Sequence, residues 1–301
     1  MRHVPVLKRE VLEALNLSAH SNVVDATLGD AGHAEEILSA IAPNGKLLGI
    51  DADPEAILRA KKFLGKFEDR AILVRSNFNK LENVVEEADF GPVNAVLLDL
   101  GWSTPQFEDR GRGFSFDKDE PLDMRFNPGN GDTTAAEIVN TYKEKEIAQI
   151  LKEFGEEKLA KEIATAIASE RKGKEMKTTK DLTEIVLTAY RKKLKTEKEI
   201  PWVGGLHPAT KVFQALRIEV NKELEVLKQV LPQAVQVLEK GGRLAVISFH
   251  SGEDRIVKHF LKSEQNKTIE IINKKPITCT DDEAKKNPPS RSAKLRVAEK
   301  I

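Results

Sequence analysis

The feature that most constrains this 301-residue chain is the regular alternation of short apolar runs with amphipathic stretches over its first hundred residues. That alternation belongs to βαβ units, because a parallel strand can pair with the next only after a crossover long enough to hold a helix. Strands are predicted at 22–26, 46–50, 71–74 and 93–98, with helices at 33–41, 54–64 and 81–87 between them. Asp53 and Pro54 mark the second helix start, as an N-cap acid followed by a residue with φ already helical. The alternation then stops. Between 107 and 206 no strand is predicted, only helices at 135–141, 144–154, 157–170 and 179–190, and the stretch 193–207, with Pro201, Gly204 and Gly205, reads as the linker back to the sheet.

Beyond the linker, Phe213, Leu216, Val220, Leu224 and Leu227 are spaced three and four apart, predicting one helix with one buried stripe. Gly241-Gly242 reads as a turn, 244–247 as a buried strand, 255–261 as a helix, and 269–272 with 295–297 as a closing pair of edge strands. The expected fold is α/β: a doubly wound, mostly parallel sheet built from 1–106 and 207–301, interrupted by an all-helical insertion at 107–206.

Bulk numbers limit the partners. Lys+Arg and Asp+Glu both total 48, so whole-chain charge favours no polyanion, and basic groups must be patched if nucleic acid binds. Candidate patches are Arg171–Lys174, Arg191–Lys195 and Arg291 with Lys294 and Arg296, though composition alone favours reading each as a solvated face. No apolar run is long enough to span a bilayer, and Met1–Pro5 begins no secretory h-region, so a cytoplasmic protein without membrane contact is expected. Cys279 is the single cysteine, which leaves no disulfide and no cysteine-based zinc site. His, Asp and Glu show no metal-ligand spacing, so no metal is expected.

The segment Asp25–His33 closes the first strand and opens a helix. Gly29 and Gly32 allow close backbone approach to a ligand, and the helix start offers N–H groups. Asp51, ending the second strand, is placed for a ribose hydroxyl pair. A nicotinamide dinucleotide or S-adenosylmethionine both fit so far. An acid ending strand one disfavours a pyrophosphate and suits a sulfonium and an amino group, and the third fingerprint glycine is missing. The competing reading is a plain strand-to-helix turn.

Asp99 ends the fourth strand, across the topological switch point from the first. A base amino nitrogen is a weak nucleophile because its lone pair is delocalised; a carboxylate can bind an amino hydrogen, sharpen the lone pair and offset the positive charge that develops on methylation. Alternatively Asp99 only binds cofactor. Just beyond, Arg110, Arg112, Phe114, Phe116 and Arg125 combine guanidinium groups, rings and glycines suited to clamping phosphates and stacking an unpaired base, or to anchoring the insertion. Gln214, Arg217 and Asn221 form a polar stripe on the helix after the linker, either lining a cleft or facing solvent. Ser251 with Asp254 matches a capping box, which leaves His250 and Glu253 as weaker site candidates.

Taken together these segments resemble the bacterial small-subunit ribosomal RNA cytosine-N4 methyltransferases, the MraW family. The likeness covers nearly the whole chain: His3–Leu7, Asp25–His33, Asp99–Gly101, Arg112–Phe116, Pro121–Arg125, Phe213–Ile218 with Asn221, Ser248–Ser251 with Glu253–Arg255, and Arg291–Arg296. The resemblance implies a Rossmann-like class I methyltransferase core, S-adenosylmethionine as cofactor, and methylation of a decoding-centre cytidine of 16S rRNA within the small ribosomal subunit. It implies that Ala31, Gly32, His33, Asp51, Phe78, Asp99 and Gln106 contact the cofactor, and it is compatible with a homodimer. The family usually has Gly, Val, Ser, Leu and Arg where this chain has Ala31, Trp102, Thr104, Gly252 and Pro289. A Cβ at Ala31 would crowd the ligand-facing backbone if that position needs positive φ. The rival expectations are a non-catalytic rRNA-binding assembly factor on the same fold, and a nicotinamide oxidoreductase.

Overall fold

The computed structural model describes residues 4–100, 111–126, 133–198, 200, 203 and 205–301. Contacts divide the chain into two compact units, Met1–Ser103 with Leu224–Ile301, and Thr104–Glu223.

The first unit carries a seven-stranded sheet in the order β3-β2-β1-β4-β5-β7-β6. The strands are β1 Val23–Asp25, β2 Leu47–Asp51, β3 Ala71–Arg75, β4 Val93–Asp99, β5 Leu238–Ser248, β6 Ile269–Ile271 and β7 Lys294–Lys300. β1 to β5 are parallel, and β7 runs antiparallel to both β5 and β6. Period-two alternation explains why both faces are covered. Val23, Leu47, Ala95, Leu97, Ala245 and Ile247 point into one core, shared with the helices Lys8–Leu15, Gly32–Ala40 and Pro54–Leu64. Val24, Leu48, Val96, Leu98 and Val246, each one residue along, point into the other, shared with the helices Leu81–Glu87, Glu223–Val237 and Ser251–Glu264. The expected doubly wound α/β sheet is therefore present.

The strand order reverses between β1 and β4, which sends their crossover helices to opposite faces. Carboxyl ends of strands on either side of such a reversal bound a crevice that no connection crosses.

Three sequence expectations differ from the structure. β7 is not an edge: it lies between β5 and β6, so only β6 closes the sheet. Gly241-Gly242 does not end a strand; β5 runs through it, and the ladder with β4 slips there, Val93 pairing Leu238 and Ala95 pairing Arg243. Gly241 at φ 81 takes up the irregularity, which is a bulge's use of glycine. The predicted single stripe Phe213–Leu227 is two helices, Thr210–Asn221 and Glu223–Val237, broken at Lys222 with φ 50. Periodicity misses a one-residue left-handed break because the pattern resumes at once.

The second unit is helical: Ala135–Thr141, Glu144–Glu153, Ala160–Glu170, Thr179–Leu194 and Thr210–Asn221. Capping boxes at Thr134 with Glu137 and Thr178 with Asp181 start two of them. The segment 111–126 is strapped onto this unit. The Thr179 N–H donates to the Glu120 carbonyl at 2.9 Å, and the buried Glu120 carboxylate accepts from the Gly113 N–H at 2.9 Å.

Candidate functional site

The site in the first unit is built on the loop after β1. The loop continues the ladder alternately with both neighbours: the Ala26 N–H donates to the Leu97 carbonyl at 3.0 Å, and the Leu28 N–H to the Ile50 carbonyl at 3.0 Å. Thr27 then turns its hydroxyl to accept from the Asp99 N–H at 2.7 Å, joining the ends of β1 and β4. Gly29, at φ 50, donates its N–H to the Asp51 carboxylate at 2.8 Å, joining β1 to β2. Three adjacent strand ends are thus tied together by one short loop.

Each of those strands ends in an acid: Asp51 on β2, Asp25 on β1 and Asp99 on β4. Asp25 is almost wholly buried, 1% exposed. Burial pushes its carboxyl up to about 7, although the nearby His33 and a hydrogen bond from the Thr27 N–H hold it down, and Asp99 and Asp51 push it higher still. A cationic ligand relieves this crowding of carboxylates, whereas a pyrophosphate would add to it.

The helix Gly32–Ala40 begins at this edge. Its N-cap, Ala31, stands at φ 59 and has no side-chain oxygen to cap the first turn, so the helix start keeps amide donors for an anionic group. The positive φ is the circumstance in which an alanine is costly, by roughly 1–2 kcal/mol. His33, 6% exposed, carries its Nε2 3.5 Å from the Asp99 Oδ2, and that nitrogen has no hydrogen-bond partner among the described residues. Asp51 accepts from the Gly29 N–H through one oxygen and, at 2.8 Å, from the Asp53 N–H through the other, which fixes its carboxylate at the end of β2. The Ser76 N–H donates to the Asp51 carbonyl at 3.0 Å, which brings the half-buried Phe78 beyond β3 to the same side. Ala31, Gly32, His33, Asp51, Phe78 and Asp99 are therefore brought to the carboxyl end of the sheet. Gln106 and Arg110 lie outside the described residues.

Sequence reasoning missed two members. Thr27 looked like a loop filler. Arg59 pairs with Asp30 of the loop at 2.7 Å and with Asp53 at 3.5 Å, bracing the loop against the next helix. Its i,i+4 spacing from Glu55, with which it also pairs at 3.7 Å, was the available signal.

His250 also sits at this end, since β5 pairs with β4 up to Asp99 and Ile247. Its expected freedom was misplaced. The capping box is His250 with Glu253, not Ser251 with Asp254: the Glu253 N–H donates to His250 Nδ1, and the Glu253 carboxylate accepts from Phe249 and His250 N–H groups. Asp254 instead pairs with the buried Arg296 at 2.7 Å. The missing side chain at Gly252 has a consequence, because a Cβ there would meet the His250 ring at 3.1 Å.

Of the substrate candidates in the second unit, several are occupied by its own architecture. Phe114 is 7% exposed and stacks on Phe126 with centroids 5.6 Å apart, which fits the anchoring alternative and not an open stacking platform. Arg112 donates to the Arg125 and Phe126 carbonyls, and Arg125 makes a bidentate pair with Asp123. Burial raises the Asp123 carboxyl, but those Arg125 bonds outweigh it and hold the group below its ordinary value. Asn221 donates to Met124 and Arg217 carbonyls and accepts from the Phe126 N–H, so both ends of its amide are used. Arg217, 7% exposed, forms a bidentate pair with Glu223 at 2.8 and 2.9 Å. Gln214 is half-buried on the same helix. The polar stripe is a scaffold formed by the buried Arg217 and the half-buried Asn221, not a solvent face. In the basic patches, Arg171 caps the Val139 and Tyr142 carbonyls, so it too is structural.

Among the described residues no cluster of His, Cys, Asp and Glu is arranged to hold a metal ion, and no helix is long and apolar enough to cross a membrane.

Residues 1–301 match the profile of the MraW methylase family. The chain is 46% identical over 302 residues to the ribosomal RNA small subunit methyltransferase H of Persephonella marina, covering 100% of both chains. It is 45% identical over 315 residues to the protein of that name from Carboxydothermus hydrogenoformans, covering 99% and 98%. Among solved structures, an S-adenosylmethionine-dependent O-methyltransferase from Thermotoga maritima matches at TM-score 0.45 and 10% identity, covering 100% of this chain and 68% of that one, a likeness too slight to add weight.

Proposed function

The chain belongs to the MraW methylase family of S-adenosylmethionine-dependent rRNA methyltransferases, and from that premise we propose that it methylates the N4 amino group of a decoding-centre cytidine in 16S rRNA of the small ribosomal subunit. The observation that carries the cofactor side is the row of Asp51, Asp25 and Asp99 on three adjacent strand ends. When bound there, S-adenosylmethionine supplies an electrophilic methyl group on a positively charged sulfur.

The residues present fit that group. Asp51 offers acceptors to the ribose hydroxyls, Phe78 a ring for the adenine, the start of Gly32–Ala40 amide donors for the carboxylate, and Asp25 with Asp99 negative charge for the cationic portion. Asp99 is assigned the catalytic task. Its carboxylate would accept a hydrogen bond from the N4 amino group, localising the nitrogen lone pair, and would take the amino proton that is surplus once the methyl group has passed from sulfur to nitrogen. His33, whose Nε2 lies 3.5 Å away, stands beside Asp99 and restricts where its carboxylate can turn. The helical unit is assigned to substrate recognition, with Arg110 and Gln214 as contacts and with Arg112, Phe114, Arg125, Arg217 and Asn221 acting through the scaffold they hold; His250 is assigned to the substrate from the first unit.

The test is incubation with isotopically labelled S-adenosylmethionine and undermethylated small subunits, followed by mass spectrometry of digested nucleosides. Label in N4-methylcytidine is the expected result. Subunit binding with no methylated nucleoside would instead make the chain an assembly factor, and label in another nucleoside would overturn the N4 assignment.

A further inference from the structure

The N-terminal segment Val4–Leu7 lies on the cofactor loop. A Cβ added to Gly32 would meet Pro5 ring carbons at 3.0, 3.1 and 3.3 Å, so the proline covers the first residue of the helix that leaves the loop. Val6 and Leu7 are buried, 1% and 0% exposed, and anchor the segment in the core, but its backbone is too short and irregular to join the sheet. Its polar groups must be met elsewhere.

They are met from the far end of the chain. The helix Asp281–Lys286 brings Glu283, whose Oε1 accepts from the Leu7 N–H at 2.7 Å. Asn287, just after that helix, donates its Nδ2 to the Val4 carbonyl at 3.2 Å and lies 3.5 Å from the Pro5 carbonyl. Leu7 needs such a hold, because it sits at φ 51 as the N-cap of the helix Lys8–Leu15 with no side-chain cap of its own. Two side chains of one C-terminal turn therefore grip both ends of a four-residue strap, and the strap presses on Gly32.

We propose that Glu283 and Asn287 are positioning residues for cofactor binding: by fixing the strap they hold Pro5 against Gly32 and so keep the Ala31–His33 turn in its ligand-binding shape. The inference rests on the reading of that turn as part of the S-adenosylmethionine site. Neither residue is required to touch the cofactor or the RNA. Residues near 5 and near 285 thus brace the cofactor loop together, and a disturbance around residue 283 is felt at residue 32.

The experiment compares wild type with Glu283→Ala, Glu283→Gln, Glu283→Ala/Asn287→Ala and Pro5→Ala, using S-adenosylhomocysteine titrated calorimetrically and thermal melting on the same preparations. A charge-assisted hydrogen bond to one site coupled to another predicts about tenfold weaker binding for Glu283→Ala and more for the double variant. Glu283→Gln, which keeps a carbonyl acceptor for the Leu7 N–H, restores most of the affinity. Pro5→Ala, which leaves the hydrogen bonds intact and removes only the ring on Gly32, weakens binding in the same direction. The KM for ribosomal subunits stays within about twofold of wild type. Variants that melt earlier but bind S-adenosylhomocysteine as wild type does would reduce Glu283 and Asn287 to fold stabilisers and overturn the proposal. Failure of the wild type itself to bind would overturn the cofactor reading, and this inference with it.

Discussion

The imidazole of His33 stands 3.5 Å from the carboxylate of Asp99, although one residue lies in the helix after β1 and the other ends β4. The contact spans the reversal of strand order, so a residue expected on the cofactor side and one assigned to the reacting amine share one buried corner. Replacing Asp99 with Asn keeps the size and one acceptor but removes the charge. Methyl transfer in single turnover is expected to fall by at least about a hundredfold, with S-adenosylhomocysteine affinity changed less than about fivefold. A parallel loss of binding and rate would show that Asp99 serves the cofactor only.

Asp25 makes stability depend on pH in an unusual direction. Its folded value of about 7 lies above the roughly 3.9 of an unfolded aspartate, so the folded chain holds the proton more tightly. Stability is at its fullest below about pH 4, declines as pH rises through the interval to about 7, and is level beyond it, a loss of at most about 4 kcal/mol. Denaturant titrations at about pH 5 and about pH 8 should show the decline in wild type and its absence in Asp25→Asn. Because a cation favours the ionised carboxylate, S-adenosylmethionine affinity should strengthen over the same interval; a flat binding profile would count against Asp25 as part of the electrostatic site.

Ala31 has φ 59 and no exposed surface. Ala31→Gly relieves about 1–2 kcal/mol of left-handed strain but gives up a buried methyl of about 0.8 kcal/mol and adds unfolded-state entropy, so stability should move by less than about 1 kcal/mol. Ala31→Val places a β-branched side chain in the same conformation and should cost at least about 2 kcal/mol. Equal melting temperatures for the two variants would mean that the left-handed turn is not retained in solution.

Gly113 is a position in the second unit that tolerates no side chain. At φ 75, an added Cβ would lie 2.4 Å from the Pro121 carbonyl oxygen. Gly113→Ala should destabilise the protein by about 2–3 kcal/mol and expose the 111–126 strap to limited proteolysis before the sheet core is cut. A protease map unchanged from wild type would show that the strap relaxes around the methyl.

Arg217 and Glu223 form a bidentate pair with side chains only 8% and 15% exposed. Removing one partner strands a buried charge, so Arg217→Ala is expected to cost about 3–5 kcal/mol, and Arg217→Met with Glu223→Leu much less. The double-mutant cycle read by denaturant unfolding checks this. A small loss of stability in Arg217→Ala alongside a large rise in the KM for RNA would return Arg217 to the substrate contacts.

Local pattern carried most of the first unit. A parallel strand buried on both faces must be continuously apolar, and Ala95–Leu98 or Leu47–Ile50 admit little else. Asp53 with Pro54 placed a helix start that the structure caps through the Glu55 and Ala56 N–H groups. The acids at strand ends were legible for a related reason: after an apolar run, the first carboxylate marks where the chain leaves the sheet. What failed were signals one residue wide. Lys222 interrupts a helix without disturbing its hydrophobic period, and His250 displaces Ser251 as the cap because a ring nitrogen accepted the Glu253 N–H in place of a hydroxyl.

A mostly parallel doubly wound sheet and the acids that end its strands are already written in the amino-acid sequence, because periodicity and capping are set within a dozen neighbouring residues. Only the tertiary structure decided which polar groups are spent on the scaffold. Arg217 beside Glu223, Asn221 beside Phe126, and Leu7 beside Glu283 are pairings across as many as 276 positions of chain. A side chain's availability for a ligand depends on such partners, and the packing that brings them together leaves no trace in the local pattern.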